Sequence, residues 1–158
     1  MALCLWGESG WGSLVRDGKY LDGYFADELV GACVRMIEGR DLQPAPTWVT
    51  CMASLRHPAL VPNFAERLAD ALGLPFRPVI SQTQERPEQK TMENSSFPAG
   101  NLDGSLTITT ETLRQGPVLL VDDMVDSGWT MTVAAWLLRH HGSGVVWPLA
   151  LAQAGHTQ

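Results

Sequence analysis

Residues 118–132, with the sequence VLLVDDMVDSGWTMT, constrain the fold of this chain more than any other stretch. Four apolar residues, as expected of a central parallel strand buried on both faces, run directly into the acid pair Asp122 and Asp123. A polar turn of sequence DSG follows, and a helix is predicted over residues 130–141. This order of strand, acids, turn and helix predicts one strand–helix unit of an α/β domain.

Two further helices are predicted upstream of this unit. The first is expected to run from Asp27, as its N-cap, to about residue 38, with Gly39 as the stop. The second is expected to begin at Asn63, which forms a near capping box with Glu66, and to stop at Gly73. Both carry apolar residues on one face, which is typical of helices that cover a sheet.

Short β-rich segments alternate with these helices. Strands are predicted over residues 48–52, 76–80, 106–110, 118–121 and 145–151. The alternation predicts the α/β class, with a mostly parallel central sheet flanked by helices.

Two segments carry no such pattern. Residues 1–25 are glycine-rich with two Trp-Gly pairs, and they are interpreted as a structured arm or part of a linker without a regular element. Residues 81–104 are long and polar, so we expect a functional or mobile loop that is poorly ordered and protease-sensitive without ligand. The whole chain of 158 residues has the length of a single domain.

Composition narrows the range of partners. The net charge is −6 and no Lys/Arg cluster occurs, which argues against direct nucleic-acid binding. Three scattered cysteines show no metal spacing and indicate reduced thiols. No signal peptide and no apolar run of membrane-spanning length is present, so we expect a cytoplasmic protein without membrane contact.

The turn after the acid pair has the properties of an anion site. Ligands of open α/β sheets bind at the carboxyl ends of the strands, where Asp122 and Asp123 are predicted to lie. The helix that follows begins with unpaired N–H groups, Gly128 permits close approach of the backbone, and Ser127 and Thr130 add hydroxyl donors. A carboxylate beside such a cradle repels an anion, which suggests that the remaining acid of the turn has a separate role in proton transfer.

The sequence DDMVDSGWT, residues 122–130, resembles the 5-phosphoribosyl 1-pyrophosphate (PRPP) signature of type I phosphoribosyltransferases. The resemblance implies the type I phosphoribosyltransferase fold, with a flexible hood loop. It implies that Asp122 and Asp123 hold the ribose hydroxyls of PRPP and, with Asp126, take part in catalysis. The 5-phosphate would be held by the residues of the turn and the helix start, namely Asp126, Ser127, Gly128, Trp129 and Thr130.

The same family grips pyrophosphate with a loop after its first core strand. By this resemblance the loop consists of Ala53, Ser54, Leu55 and Arg56, although it lacks the glycine that would let its backbone approach closely. Arg86 and Lys90 would close over the ligand from the long loop. The implied cofactor is Mg²⁺, which binds phosphates together with one or two carboxylates, and Asp122 and Asp123 are the expected metal residues.

Weaker resemblances point to one branch of the family. RPEQ at residues 86–89 and NLDG at 101–104 resemble the flexible loop of the ComF-like branch. WG, WVTC and LRHP, at residues 11–12, 48–51 and 55–58, resemble the phosphoribosyltransferase domain appended to some bacterial RecQ-type DNA helicases. This kinship implies a helicase domain as a partner, either in the same chain or in a separate one. Whether the protein forms a homodimer is left open by the sequence.

Parts of this pattern also occur in other folds. A receiver domain needs more chain after Asp122 than the 36 residues present, and a Walker P-loop needs a Gly-Lys-Ser/Thr that is absent. For function, transfer from PRPP to an unidentified acceptor base competes with a non-catalytic PRPP or nucleotide sensor coupled to DNA processing, and with a vestigial site. Purine-salvage relatives read the base with a Lys and an aromatic residue after the last strand, and AQAG at residues 152–155 supplies neither.

Overall fold

A parallel sheet organises the chain, for which this computed structural model describes residues 1–82, 106–110 and 113–155. In chain order the elements are β1 (Ala2–Leu5), α1 (Trp11–Asp17), a π-helical turn (Gly18–Asp22), α2 (Asp27–Arg40), β2 (Trp48–Cys51), α3 (Leu60–Leu72), β3 (Ile80–Gln82), β4 (Leu106–Ile108), β5 (Val118–Val125), α4 (Trp129–His140) and β6 (Val146–Gln153). The main sheet has the order β1-β6-β5-β2 with parallel pairing throughout, and β3 and β4 form a separate antiparallel pair.

Strand β5 lies in the middle of the sheet, as its continuous apolar sequence predicts. Val49 of β2 pairs with Leu119, and Trp147 of β6 pairs with the same residue from the other side. Residues 118–121 are fully buried. The strand is longer than predicted, since it continues to Val125 and therefore includes both acids of the pair.

Helices cover both faces of the sheet. On one face, α2 and α3 pack with side chains such as Leu29, Phe64 and Leu68 against Leu119 and Val121. On the other face, α4 packs with Val133, Ala134, Leu137 and Leu138 against a core that contains Trp48 and Leu120. The predicted α/β class with a mostly parallel sheet between helices is confirmed. No helix of the described residues has the length and apolar character that crossing a membrane requires.

The N-terminal segment differs from its prediction. Residues 1–25 were expected to lack a regular element, yet they contain β1, α1 and the π-helical turn. Strand β1 joins the main sheet, where Ala2 pairs with Ala150 and Cys4 pairs with Ala152 of β6. Its partners lie almost the whole chain away, so no local pattern in a four-residue strand could reveal the pairing.

Two predicted N-caps are also wrong. The N-cap of α2 is Ala26 rather than Asp27, and the helix passes Gly39 to end at Arg40. Helix α3 begins at Leu60, so Asn63 lies inside the helix and its Oδ1 accepts a hydrogen bond from Arg67 Nε at 3.0 Å instead of capping. The early start is possible because Pro62 falls in the first turn, where its missing N–H leaves no hydrogen bond unmade.

The strand predicted over residues 76–80 is displaced toward its end. Phe76 makes a single parallel bridge to Val49, and the regular strand β3 begins at Ile80. The other predicted strands and the stop of α3 at Gly73 agree with the structure to within a few residues at each boundary.

Candidate functional site

The acid pair lies at the carboxyl end of the central strand. Asp122 and Asp123 are consecutive residues of β5, so their side chains point to opposite faces of the sheet. The backbone N–H of Asp123 donates a hydrogen bond to Asp122 Oδ1 at 2.8 Å. Both carboxyl groups are partly buried, and they lie where ligands of open α/β sheets bind.

The carboxyl group of Asp122 has a different pKa from that of an ordinary surface acid. Burial, together with the negative charge of Asp123, raises the pKa of its carboxyl group from 3.8 to about 8. The hydrogen bond from the Asp123 backbone and the nearby Lys19 act in the opposite direction, but they do not offset the burial. Asp122 is therefore largely protonated near neutral pH in the free protein.

Asp123 has a cationic partner that the sequence did not suggest. The Nζ of Lys19, on the π-helical turn, lies 3.0 Å from Asp123 Oδ2. Only 16% of the Lys19 side chain and 14% of the Asp123 side chain are exposed. A charge pair this well shielded from water interacts more strongly than a surface pair, so Lys19 and Asp123 hold each other in place.

The turn after β5 leads into α4 through a left-handed residue. Gly128 has φ 82° and ψ 0° as the N-cap of the helix, a conformation that favours glycine. No side chain caps the helix, although the Trp129 N–H donates to Ser127 Oγ at 3.2 Å within the turn. The first N–H groups of α4 beyond this one stay available to an anion.

A cavity of about 200 Å³ connects Asp122 to the turn. Its lining residues are Asp122, Met124, Val125, Asp126, Ser127, Gly128, Trp129, Thr130 and Met131. Trp129 is about half exposed, so its ring borders the cavity instead of packing into the sheet. The structure thus brings Asp122 and residues 126–130 together around one space, with Asp123 on the opposite face of the strand beside Lys19.

The loop predicted to hold pyrophosphate follows β2, the strand that pairs with β5. Met52, the first residue after β2, donates its N–H to the Val121 carbonyl at 2.8 Å, one residue before the acid pair. In the loop that follows, Ser54 Oγ accepts the His57 N–H at 3.2 Å. Arg56 is exposed and forms no ion pair with any residue that the structure describes, so its guanidinium is available to an anion.

Arg86 and Lys90 lie outside the described residues. Among those that are described, no group of three or more His, Cys, Asp or Glu side chains is arranged to hold a metal ion. The acid pair still fits magnesium, because Mg²⁺ in phosphate sites is bound by one or two carboxylates together with phosphate oxygens and water.

Lys19 is the residue of the site that sequence reasoning missed. It lies in a segment interpreted as an arm, 104 positions before its partner Asp123. One signal could have marked it, since Lys19 and Lys90 are the only lysines of an acidic chain. The π-helical turn that carries it is a feature often found at functional sites, but no sequence pattern predicts such a turn.

The comparison with protein families gives a match whose range includes Asp122, Asp123 and the turn of residues 126–130. The model described as phosphoribosyl transferase domain matches residues 63–157, more than half of the chain. The adenine phosphoribosyltransferase of Bordetella pertussis is similar to this chain, at 39% identity over 80 residues. That stretch is 50% of this chain and 42% of the relative, so the similarity spans about two fifths of the relative's length.

Solved structures share the fold at low identity. An adenine phosphoribosyltransferase from Saccharomyces cerevisiae superposes with a TM-score of 0.57 and 19% identity, covering 82% of this chain and 68% of that one. An adenine phosphoribosyltransferase from Thermoanaerobacter pseudethanolicus gives a TM-score of 0.53 and 18% identity, covering 89% of this chain and 83% of that one. Both likenesses concern the arrangement of the helices and strands.

Proposed function

Since this chain belongs to the phosphoribosyl transferase domain family, we propose that it binds PRPP and transfers the phosphoribosyl group to a nitrogen acceptor, a nucleobase or related ring, with release of pyrophosphate. The observation that carries the proposal is the cavity in which Asp122 and the turn of residues 126–130 face the same space. That arrangement places a proposed ribose-binding carboxyl group, that of Asp122, beside an anion cradle, as PRPP requires.

Each part of PRPP has a proposed place. The 5-phosphate accepts hydrogen bonds from the N–H groups at the start of α4 and from the hydroxyls of Ser127 and Thr130. The ribose hydroxyls bind Asp122 and Asp123 at the end of β5. The pyrophosphate lies toward β2, where the exposed Arg56 can bind two phosphate oxygens at once and the residues Ala53, Ser54 and Leu55 complete the loop.

The proposed reaction is a displacement at the ribose carbon that carries pyrophosphate. The acceptor nitrogen forms a bond to this carbon as the bond to the pyrophosphate oxygen breaks, and the ring develops positive charge in between. Carboxylates next to the ribose stabilise that charge. Asp126, which is exposed at the mouth of the cavity, takes the proton that the acceptor nitrogen loses.

Bound Mg²⁺ would supply positive charge for the leaving pyrophosphate. Asp122 and Asp123 are the residues that would hold it, directly or through water. Arg86 and Lys90 are proposed to close over the same end of the ligand.

A finer kinship is proposed on sequence resemblance alone. The motifs at residues 86–89 and 101–104 support a place in the ComF-like branch, and those at residues 11–12, 48–51 and 55–58 support kinship with the domains attached to RecQ-type helicases. On that basis a non-catalytic PRPP sensor coupled to DNA processing is the second candidate. It is favoured by the end of β6, where Gln153 and Ala154 offer no ring-binding side chain.

Ligand-induced stabilisation tests the proposal. PRPP with Mg²⁺ should stabilise the fold by about 2.7 kcal/mol at one hundred times its dissociation constant, because only the folded state binds it. The measurement is a thermal shift with millimolar PRPP and Mg²⁺, with ATP and Mg²⁺ as the control. A thermal shift with PRPP and Mg²⁺ but not with ATP and Mg²⁺, followed by pyrophosphate release when a base is added from a panel, supports transfer. Absence of any PRPP shift would contradict a working site.

A further inference from the structure

We propose that Trp6, Lys19 and Tyr20 form the acceptor side of the site and select a planar ring that carries a carbonyl oxygen at its edge. All three belong to the N-terminal segment, which lies outside the matched range of the family model. The inference rests on the proposed phosphoribosyl transfer and adds to it the chemical class of the acceptor.

The aromatic pair lies at the functional edge of the sheet. The Trp6 backbone N–H donates to the carbonyl of Gln153, the last residue of β6, at 2.8 Å. The ring of Trp6 meets the ring of Tyr20 edge to face, with centroids 5.9 Å apart and an interplanar angle of 82°. Both rings are therefore held at the carboxyl end of β6, next to the end of β5.

Lys19 connects this pair to the acids. Its Nζ lies 3.0 Å from Asp123 Oδ2 and 5.7 Å from the centroid of the Tyr20 ring. The Lys19 ammonium thus lies between the Tyr20 ring and Asp123, whose carboxylate is proposed to hold the ribose. A base attached to that ribose would come within reach of the Tyr20 ring.

The order of the strands gives the site two sides. Strand β5 has β2 on one flank and β6 on the other, and the proposed pyrophosphate loop follows β2. Displacement at a sugar carbon brings the incoming group to the face opposite the leaving group. The acceptor therefore enters from the flank of β6, where Trp6 and Tyr20 lie. On this placement the N-terminal segment supplies the base-reading side chains that Gln153, Ala154 and Gly155 do not offer.

The exposed side chains fit a flat, partly apolar ligand. Tyr20 is 59% exposed and its neighbour Leu21 is 78% exposed, which leaves a large apolar surface open beside a charged site. A heteroaromatic ring stacks on such a surface, since every base has a π-face. Neither side chain is needed to fill the core.

Lys19 supplies the selectivity for a carbonyl oxygen. An ammonium has three donors and no acceptor, and one donor is used on Asp123, so two remain. A carbonyl oxygen at the ring edge accepts one of them. An exocyclic amino group in the same place can only present further N–H donors, so it leaves the ammonium unsatisfied.

The turn that carries Lys19 is anchored in the core. A Cβ on Gly18 would lie 2.7 Å from Phe25 Cδ1, so only glycine lets the turn pack this closely. Phe25 is buried and packs edge to face on Phe64 of α3 at 5.8 Å. Lys19 and Tyr20 are therefore presented from a fixed support, as a site that selects between ligands requires.

Binding of reaction products tests the inference without requiring catalysis. Calorimetry would compare ribose 5-phosphate, adenosine monophosphate and inosine monophosphate on the wild type and on Tyr20→Ala, Lys19→Met and Arg16→Met. Arg16→Met is the matched control, since it removes one positive charge from the same segment at an exposed side chain paired with its neighbour Asp17.

The expected results differ by variant. Inosine monophosphate, with its ring carbonyl, should bind the wild type about 10- to 100-fold more tightly than adenosine monophosphate, the range for a hydrogen bond to a charged group. Lys19→Met should remove that preference. Tyr20→Ala should weaken both nucleotides by about 5- to 100-fold through lost stacking while leaving ribose 5-phosphate unchanged. Arg16→Met should change none of these.

The outcomes separate this inference from the proposed function. If PRPP and ribose 5-phosphate bind but Tyr20→Ala leaves nucleotide affinity unchanged, the acceptor side lies elsewhere and the inference is wrong while the transferase proposal stands. A wild-type preference for adenosine monophosphate, or an inosine preference that survives in Lys19→Met, overturns the carbonyl selectivity. If neither PRPP nor any of the three ligands binds, both proposals fail together.

Discussion

Replacing Asp122 with Asn should stabilise the free protein, and the gain should grow with pH. The folded structure holds the pKa of this carboxyl group at about 8, whereas the unfolded chain returns it to about 3.8. Below pH 3.8 the group is protonated in both states and costs nothing. As the pH rises toward 8, the unfolded state releases the proton while the folded state retains it, so stability is progressively lost.

The size of the effect follows from the two pKa values. Each pH unit between them costs about 1.4 kcal/mol of stability, so the total at pH 7 is at most about 4 kcal/mol. Asn is neutral at every pH and can keep the hydrogen bond from the Asp123 N–H, because its amide oxygen replaces Asp122 Oδ1. The stability difference between Asp122→Asn and wild type should therefore increase by about 1 kcal/mol or more per pH unit from pH 5 to pH 7.

Urea denaturation at pH 5, 6 and 7, at constant ionic strength and without magnesium or PRPP, measures this difference. Asp126→Asn is the matched control, since it neutralises an exposed acid of the same strand–turn unit. The pH dependence found for Asp122→Asn should exceed that of this control. If the difference for Asp122→Asn is constant across the series, or if the variant becomes relatively less stable as the pH rises, the burial of a protonated Asp122 is refuted.

Two further predictions concern proton transfer and the cysteines. Asp126→Asn should leave PRPP affinity, measured by calorimetry, unchanged or improved. It should lower the rate of pyrophosphate release by about 10²- to 10⁴-fold, as expected for loss of a general base. If the wild type binds PRPP but transfers it to nothing, and the variant changes neither quantity, the result favours the sensor. Burial raises the pKa of Cys4 to about 11 and those of Cys33 and Cys51 to about 12, so at pH 8 all three thiols should react with a disulfide reagent only slowly until denaturant is added. A thiol titrated within seconds in the native protein contradicts that picture.

Sequence reasoning was most successful where the signals are local. The apolar run of β5, the acid pair and the glycine that opens α4 are neighbours in the chain, so one short segment determined a strand, a turn and a helix start together. The α/β class followed from the alternation of such segments. The N-caps did not follow, because Asp27 and Asn63 are good capping residues by type, yet Ala26 is the N-cap of α2 and α3 already begins at Leu60.

What only the tertiary structure decided lies between residues far apart in the chain. Strand β1 exists because β6 offers an edge to it, and its four residues show no pattern that would distinguish them from a loop. The Lys19–Asp123 ion pair depends on the same folding of the N-terminal segment over the sheet. Even the protonation of Asp122 is a tertiary property, because burial by surrounding elements is its largest cause. The sequence thus determines which groups are available near the cavity, while their pairing, burial and ionisation arise from contacts that local physics cannot anticipate.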